Sequence, residues 1–166
     1  MKNLLKVLID YLRFLSYDSN WERTLFDNVT GGYLVTSLLR IQEANKSKNN
    51  LMIYLKEQKM CRKLVSFGFQ IEHLYEVPGV SSPDIAVKRH GCIVKIGGRL
   101  AELKQLSSSN KIYNEGKNAK YNKKADLIIF EFTKQSSGIF REIGRLTGIG
   151  IHGYYYYTDS KTYYAF

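Results

Sequence analysis

Cysteine is almost missing from this chain: Cys61 and Cys92 are the 2 cysteines among 166 residues. They lie far apart, make no CxxC pair and sit in no Cys/His cluster of zinc spacing. Neither a zinc finger nor a disulfide framework therefore organises the fold. A reduced, intracellular setting and a single disulfide are the two readings left. Proline is as scarce, at 2 residues, and the 13 glycines gather in no Gly/Pro-rich tract, which argues against long linkers. Hydrophobic runs are short too. The most apolar stretch, Met1 to Leu15, is interrupted by Lys6, Asp10 and Arg13, and is too short and too charged to span a bilayer. It lacks the uninterrupted apolar centre and small-residue cleavage site of a signal peptide. An amphipathic helix packed on the domain is expected, with contact to a membrane surface as the alternative. Acidic residues are also in deficit: 15 Asp and Glu face 25 Lys and Arg, for a net charge of +10. That imbalance suits nucleic acid or an anionic membrane as partner, or serves solubility alone.

What is present is globular. Hydrophobic residues make up 44% and charged residues 24%, a balance that supports one compact domain with a real core. Tyrosine is abundant, at 13 residues. The first half reads as helical. Met1 to Leu15 is followed by a polar break at Ser16 to Asn20, then by Trp21 to Val29 and the Gly31-Gly32 turn. Tyr33 to Glu43 places Leu34, Leu38 and Ile41 on one helical face, and Leu51 to Phe67 repeats the pattern up to Gly68 as a C-cap.

From Phe69 the period changes. Phe69, Ile71 and Leu74 begin a strand, and Ser82 to Val87 is a turn running into another. Cys92 to Ile96 and Arg99 to Leu106 form strands across a Gly97-Gly98 hairpin turn. Lys111 to Lys124 reads as a basic helix, and Leu127 to Phe132 as a central buried strand. Phe140 to Leu146 is a short helix, and Tyr154 to Tyr157 and Tyr163 to Phe166 are strands. In the first tyrosine run alternate rings would be exposed, at a sheet margin. The expected class is α/β (α+β): N-terminal helices, then a mixed central sheet flanked by helices. Residues 1–50 would form a helical segment packed on a core of residues 51–166.

Asp84 and the triplet Glu102-Leu103-Lys104 carry the chemistry. In a strand Glu102 and Lys104 share one face while Leu103 takes the other. Pro83 favours a strand start at Asp84, and the glycine-punctuated hairpin can bring Asp84 beside Glu102. Two converging carboxylates repel unless a hard divalent cation lies between them. Such a cation polarises a phosphate and acidifies a bound water, with Lys104 beside it to hold the water or stabilise charge. The same spacing also fits a surface strand with an alternating salt pair.

The stretch from Lys56-Glu57 to Phe132 widens the pattern. Its parts are Glu57 in a helix, LVSFGFQIEHLYE (Leu64 to Glu76), SPDIAV (Ser82 to Val87), GRLAELKQLSSSN (Gly98 to Asn110), and KKADLIIFEF (Lys123 to Phe132) after a basic helix. This stretch resembles the PD-(D/E)XK nuclease superfamily. More narrowly it is similar to the C-terminal nuclease domains of contact-dependent inhibition and other polymorphic bacterial toxins, and to domains appended to phage head proteins. FDNVTGGYLV (Phe26 to Val35) looks like what precedes such domains.

The resemblance implies a restriction-endonuclease-like fold and a metal-dependent endonuclease, with RNA, tRNA included, favoured over DNA. It implies Asp84 and Glu102 as metal ligands, Glu57 as a further ligand, and Lys104 as the catalytic lysine. The metal would be Mg²⁺, with Mn²⁺ or Zn²⁺ as alternatives. It further implies an acidic immunity protein as partner and the cytoplasm of the producing or target bacterial cell as location. The pattern carries a Gln before Ala-Asp, whereas Lys124 precedes Ala125-Asp126 here. A lysine there is suited to phosphate instead.

Supporting residues follow the Glu-x-Lys strand. Ser107, Ser108, Ser109 and Asn110 offer hydroxyls and an amide to a phosphate backbone, or form a polar turn that ends the strand. Lys111, Lys117, Lys120, Lys123 and Lys124, interleaved with Tyr113 and Tyr121, suit phosphates and unpaired bases, or a solvated helix face. His73, His90 and His152 are scattered and take no ligand role. Two other functions use some of the same features. One is a non-catalytic nucleic-acid-binding module with a vestigial nuclease fold. The other is a metal-free, barnase-like RNase recruiting His152 with Arg141 or Arg145.

Overall fold

The structure, a computed structural model, describes residues 2–77, 79–89 and 99–166. The strand expected over Cys92 to Ile96, its Gly97-Gly98 turn and His90 lie outside those residues. The described chain forms two compact units. The first runs to Tyr75 and resumes with 85–89; the second holds Glu76–Asp84 and Arg99–Phe166. Together they contain five α-helices and eight strands among the described residues, a mixed α+β class as expected.

In the first unit, α1 (Lys2–Leu15) precedes a hairpin of β1 (Trp21–Phe26) and β2 (Tyr33–Ser37). Then come α2 (Leu38–Ala44), α3 (Lys48–Ser66), β3 (Gln70–His73) and β4 (Ile85–Arg89). β1 pairs antiparallel with β2, β2 parallel with β3, and β3 antiparallel with β4. The hairpin corrects the helical reading of the first half, since a helix occupies only the second part of Tyr33 to Glu43. The cause is burial on both sides of β2. Tyr33 and Val35 pack with Phe14 of α1, while Thr36 meets Gln58 of α3. A strand buried on both faces loses the period-two signal, and Leu34, Leu38 and Ile41 then mimic a helical face.

α3 forms as expected and is capped at both ends. The Ser47 hydroxyl accepts the Asn50 N–H at 3.1 Å. At the other end Gly68, at φ +91°, donates to the Val65 carbonyl at 2.8 Å, and Phe69 donates to Leu64 at 3.1 Å. This is a Schellman closure, which a side chain at position 68 would strain. Gly32 is needed for space, because a Cβ there would lie 2.3 Å from the Val65 carbonyl oxygen.

In the second unit β5 (Arg99–Leu106) leads into a helical segment made of three unlike pieces: a tight turn at Ser109–Lys111, α4 (Ile112–Lys117) and a wide π turn at Asn118–Asn122. β6 (Leu127–Phe132), α5 (Gly138–Thr147), β7 (Gly153–Tyr157) and β8 (Tyr164–Ala165) follow. β5, β6 and β7 are parallel, and β8 closes antiparallel on β7. Every residue of β6 is buried, as a central parallel strand requires. Ile128, Phe130 and Phe132 meet Ile112, Ala119, Ile139, Ile143 and Leu146 in one core. Each fully buried aliphatic side chain contributes about 1.5–3 kcal/mol.

The tyrosine run departs from expectation. Tyr154, Tyr155 and Tyr156 are all buried, because β7 is flanked on both sides. Tyr163 packs edge-on against Tyr154 and Tyr164 stacks on Tyr155.

Candidate active site

β5 performs the alternation expected of it. Glu102 and Lys104 share one face and bring their charged ends together, Oε1 to Nζ at 2.8 Å. Leu103 takes the other face and is 5% exposed. Its backbone N–H donates to Asp84 Oδ2 at 2.7 Å. That bond ties the carboxylate ahead of β4 to the middle of β5. The structure therefore assembles Asp84, Glu102 and Lys104 in one place.

It also adds residues that sequence reasoning did not assign to the site. Lys123 donates to Glu76 Oε1 at 2.9 Å and to the Ser82 carbonyl at 3.1 Å, and its ammonium lies 3.9 Å from Glu102 Oε1. Glu115 of α4 stands 3.9 Å from Lys104. Both ammonium groups thus address Oε1 of Glu102. Both Glu102 oxygens are buried without a hydrogen bond among the described residues; Oε1 has these ion pairs and Oε2 has none. Burial pushes the Glu102 carboxyl above its ordinary range, against the pull of Lys104 and Lys123. Burial works to lower the Lys104 pKa, but its bond to Glu102 prevails and holds it above the ordinary value. Lys123 is raised in the same way, chiefly by Glu76.

A divalent cation fits this donor set. Asp84, Glu102, Glu76 and Glu115 against Lys104 and Lys123 are four acidic side chains to two basic ones. A carboxylate oxygen without a partner is costly to bury; a proton or a cation would satisfy it, and burial raises the Glu102 pKa. Among the described residues no three His, Cys, Asp or Glu side chains form a metal-binding group. A cation placed here would draw on Asp84 and Glu102 alone, with water and substrate oxygens to complete its shell. Mg²⁺ and Mn²⁺ accept that arrangement, whereas Zn²⁺ sites ordinarily draw on three or four protein ligands that include nitrogen or sulfur.

The other predicted residues fall into place as follows. Glu57 belongs to the first unit, where its Oε2 meets Arg40 at 2.7 Å and His73 at 2.8 Å; this ion pair accounts for its burial. Ser107, Asn110, Lys111, Lys117, Lys120 and Lys124 are exposed. Ser109 is 9% exposed, being packed where a Cβ on Gly138 would lie 2.5 Å from its hydroxyl. Lys124 adopts φ +56°. Arg141 and Arg145 both turn onto Glu142, at 3.0 and 2.7 Å, so neither is teamed with His152. The His152 ring meets the Phe166 carbonyl at 3.3 Å.

No family model matches the chain, and no curated protein does. A solved structure shares its fold. A chain of the CdiA-CT/CdiI toxin and immunity complex from Burkholderia pseudomallei matches with a TM-score of 0.52, covering 73% of this chain and 89% of its own. Identity is 12%, so the likeness is one of fold. No helix among the described residues is long and apolar enough to cross a membrane.

Proposed function

We propose that this chain is a metal-dependent endonuclease that hydrolyses phosphodiester bonds of nucleic acid, RNA in preference to DNA. We read it as a bacterial toxin domain matched by an acidic immunity protein. The observation that carries the reading is Glu102 Oε2, a buried carboxylate oxygen without a hydrogen bond among the described residues, beside a second carboxylate and two ammonium groups. A divalent cation held by Asp84 and Glu102 would polarise the scissile phosphate and acidify a bound water.

The chain's own residues supply the rest. Lys104 stays protonated, so it acts as an electrostatic stabiliser of charge building on the phosphate and not as a base. The water oxygen would form the new P–O bond and release its proton to solvent, the P–O bond to the leaving sugar oxygen would break, and that oxygen would take up a proton from solvent. Asp84, anchored on the Leu103 N–H, is positioned by backbone and not by a mobile side-chain contact. Exposed Lys111, Lys117, Lys120 and Lys124, with Ser107 and Asn110, draw in the phosphate backbone. The net charge of +10 favours an acidic inhibitor by complementarity, and the fold shared with a chain of a toxin and immunity complex supports that partner.

The test is incubation with total tRNA and with plasmid DNA, each with Mg²⁺, with Mn²⁺ and with EDTA. Cutting that needs the cation is expected. Cutting undiminished in EDTA would favour a metal-free RNase, and salt-sensitive binding with no cutting would favour a binding module.

A further inference from the structure

Along the helical segment between β5 and β6, Asn114, Lys117, Asn118, Tyr121 and Asn122 line a groove of about 260 Å³. Spacings of three and four residues place these side chains on one face. The second half of the segment is the π turn Asn118–Asn122, a wide form that collects at functional sites. Tyr121 is 60% exposed. The Asn122 amide donates to Asn118 Oδ1 at 2.7 Å. The pair therefore still presents the NH₂ of Asn118 and the carbonyl of Asn122, one donor and one acceptor. Lys117 lies 5.6 Å over the Tyr113 ring, which an Arg145 guanidinium also covers at 4.0 Å. A cation is thus held at the groove margin. The residues next to this face reach the catalytic cluster: Glu115 stands 3.9 Å from Lys104, and Lys123 stands 3.9 Å from Glu102.

We infer that this groove takes one unpaired base of the nucleic acid beside the phosphate that is cut. The role next to the scissile bond rests on the nuclease reading; the binding of a base does not. A free tyrosine face stacks any base. A donor and an acceptor side by side match the hydrogen-bonding edge of a base, and Lys117 suits its phosphate. The volume is below that of a drug-sized pocket and suits a single flat heterocycle. In a duplex those base faces and edges are already stacked and paired. The groove therefore selects loops and single strands over double helix.

The test uses the whole protein in EDTA with a short single-stranded RNA carrying one 2-aminopurine, its integrity checked on a gel. Binding should quench the 2-aminopurine fluorescence. Tyr121→Phe should keep the quench, and Tyr121→Ala should lose it and weaken binding about tenfold. The ring is exposed, so the substitution spares the core, which circular dichroism verifies. The same RNA annealed to its complement should show no Tyr121-dependent change. An unaltered quench and affinity in Tyr121→Ala would overturn the inference, as would duplex bound equally well through Tyr121. Equal quenching of the free 2-aminopurine mononucleotide would make this a nucleotide site and overturn the strand assignment. Parallel reactions with Mg²⁺ separate the two claims. Quenching without cutting sinks the nuclease reading and keeps the base site, whereas cutting without quenching does the reverse.

Discussion

Glu102 and Lys104 meet at 2.8 Å on one face of β5, but the pair is unequal: the carboxylate side chain is 1% exposed and the lysine 28%. Burial therefore weighs on Glu102 more than on its partner. The folded-state pKa of Glu102 lies above its ordinary value, with burial as the main cause. Folding then favours the protonated form. That stability is fully present below the unfolded pKa and is lost as pH rises through the folded pKa.

Glu102→Gln should consequently raise the urea midpoint at pH 7 in EDTA, with the gain shrinking in acid. The same substitution should reduce metal-dependent cutting about 100-fold or more. Urea titrations at pH 7 and pH 4, together with a cleavage time course, check both halves. A midpoint lowered at pH 7 would show that the bond to Lys104 outweighs the burial of the charge.

Glu57 runs the other way. Burial would raise its pKa, but the bonds from His73 and Arg40 prevail and hold it below the ordinary carboxylate range. Its stabilisation is present above the unfolded pKa and is lost as pH falls through the folded pKa. Glu57→Gln leaves Arg40, 8% exposed, without its counter-charge and should cost about 3 kcal/mol at neutral pH. Denaturation curves of wild-type and variant should converge below the ordinary carboxylate range. A variant as stable as wild-type at pH 7 would remove this ion pair from the account of the first unit.

Lys123 ties Glu76 and the Ser82 carbonyl to the site, two residues from Asp84. Lys123→Ala should lower kcat about tenfold through lost positioning with little change in KM, and Lys123→Arg should restore part of it. A change confined to KM would instead make Lys123 a substrate contact.

On the proposed reading the exposed lysines would act through the phosphate backbone. Alanine at Lys111, Lys120 or Lys124 should weaken RNA binding and reduce the slope of log K against log salt by about 0.7 per lysine for single strands. Filter binding across a salt series reads the slope, and an unchanged slope would free that residue of any phosphate contact.

β5 was legible because it keeps its alternation beside a covered core, and β6 because a six-residue apolar run has few other homes. The hairpin β1–β2 was not, since burial of β2 on both faces erased the period of two and left leucine spacings that imitate a helix. Tyr154 to Tyr156 were misjudged for a tertiary reason: β8 covers a strand that read as a margin. That Asp84, Glu102 and Lys104 lie close together could be expected from spacing and resemblance together. Lys123, Glu76 and Glu115 could not, because their roles come from contacts between distant parts of the chain. The KK before Ala125 held the lysine, but nothing local distinguished Lys123 from Lys124.

The most direct measurement is RNA cleavage with Mg²⁺ by wild-type protein and by Asp84→Asn, which keeps an oxygen for the Leu103 N–H and so spares the fold. Wild-type is predicted to cut only with the cation present, and the folded variant is predicted not to cut. Cutting by folded Asp84→Asn at the wild-type rate would contradict the assignment of Asp84 and Glu102 as the cation's ligands.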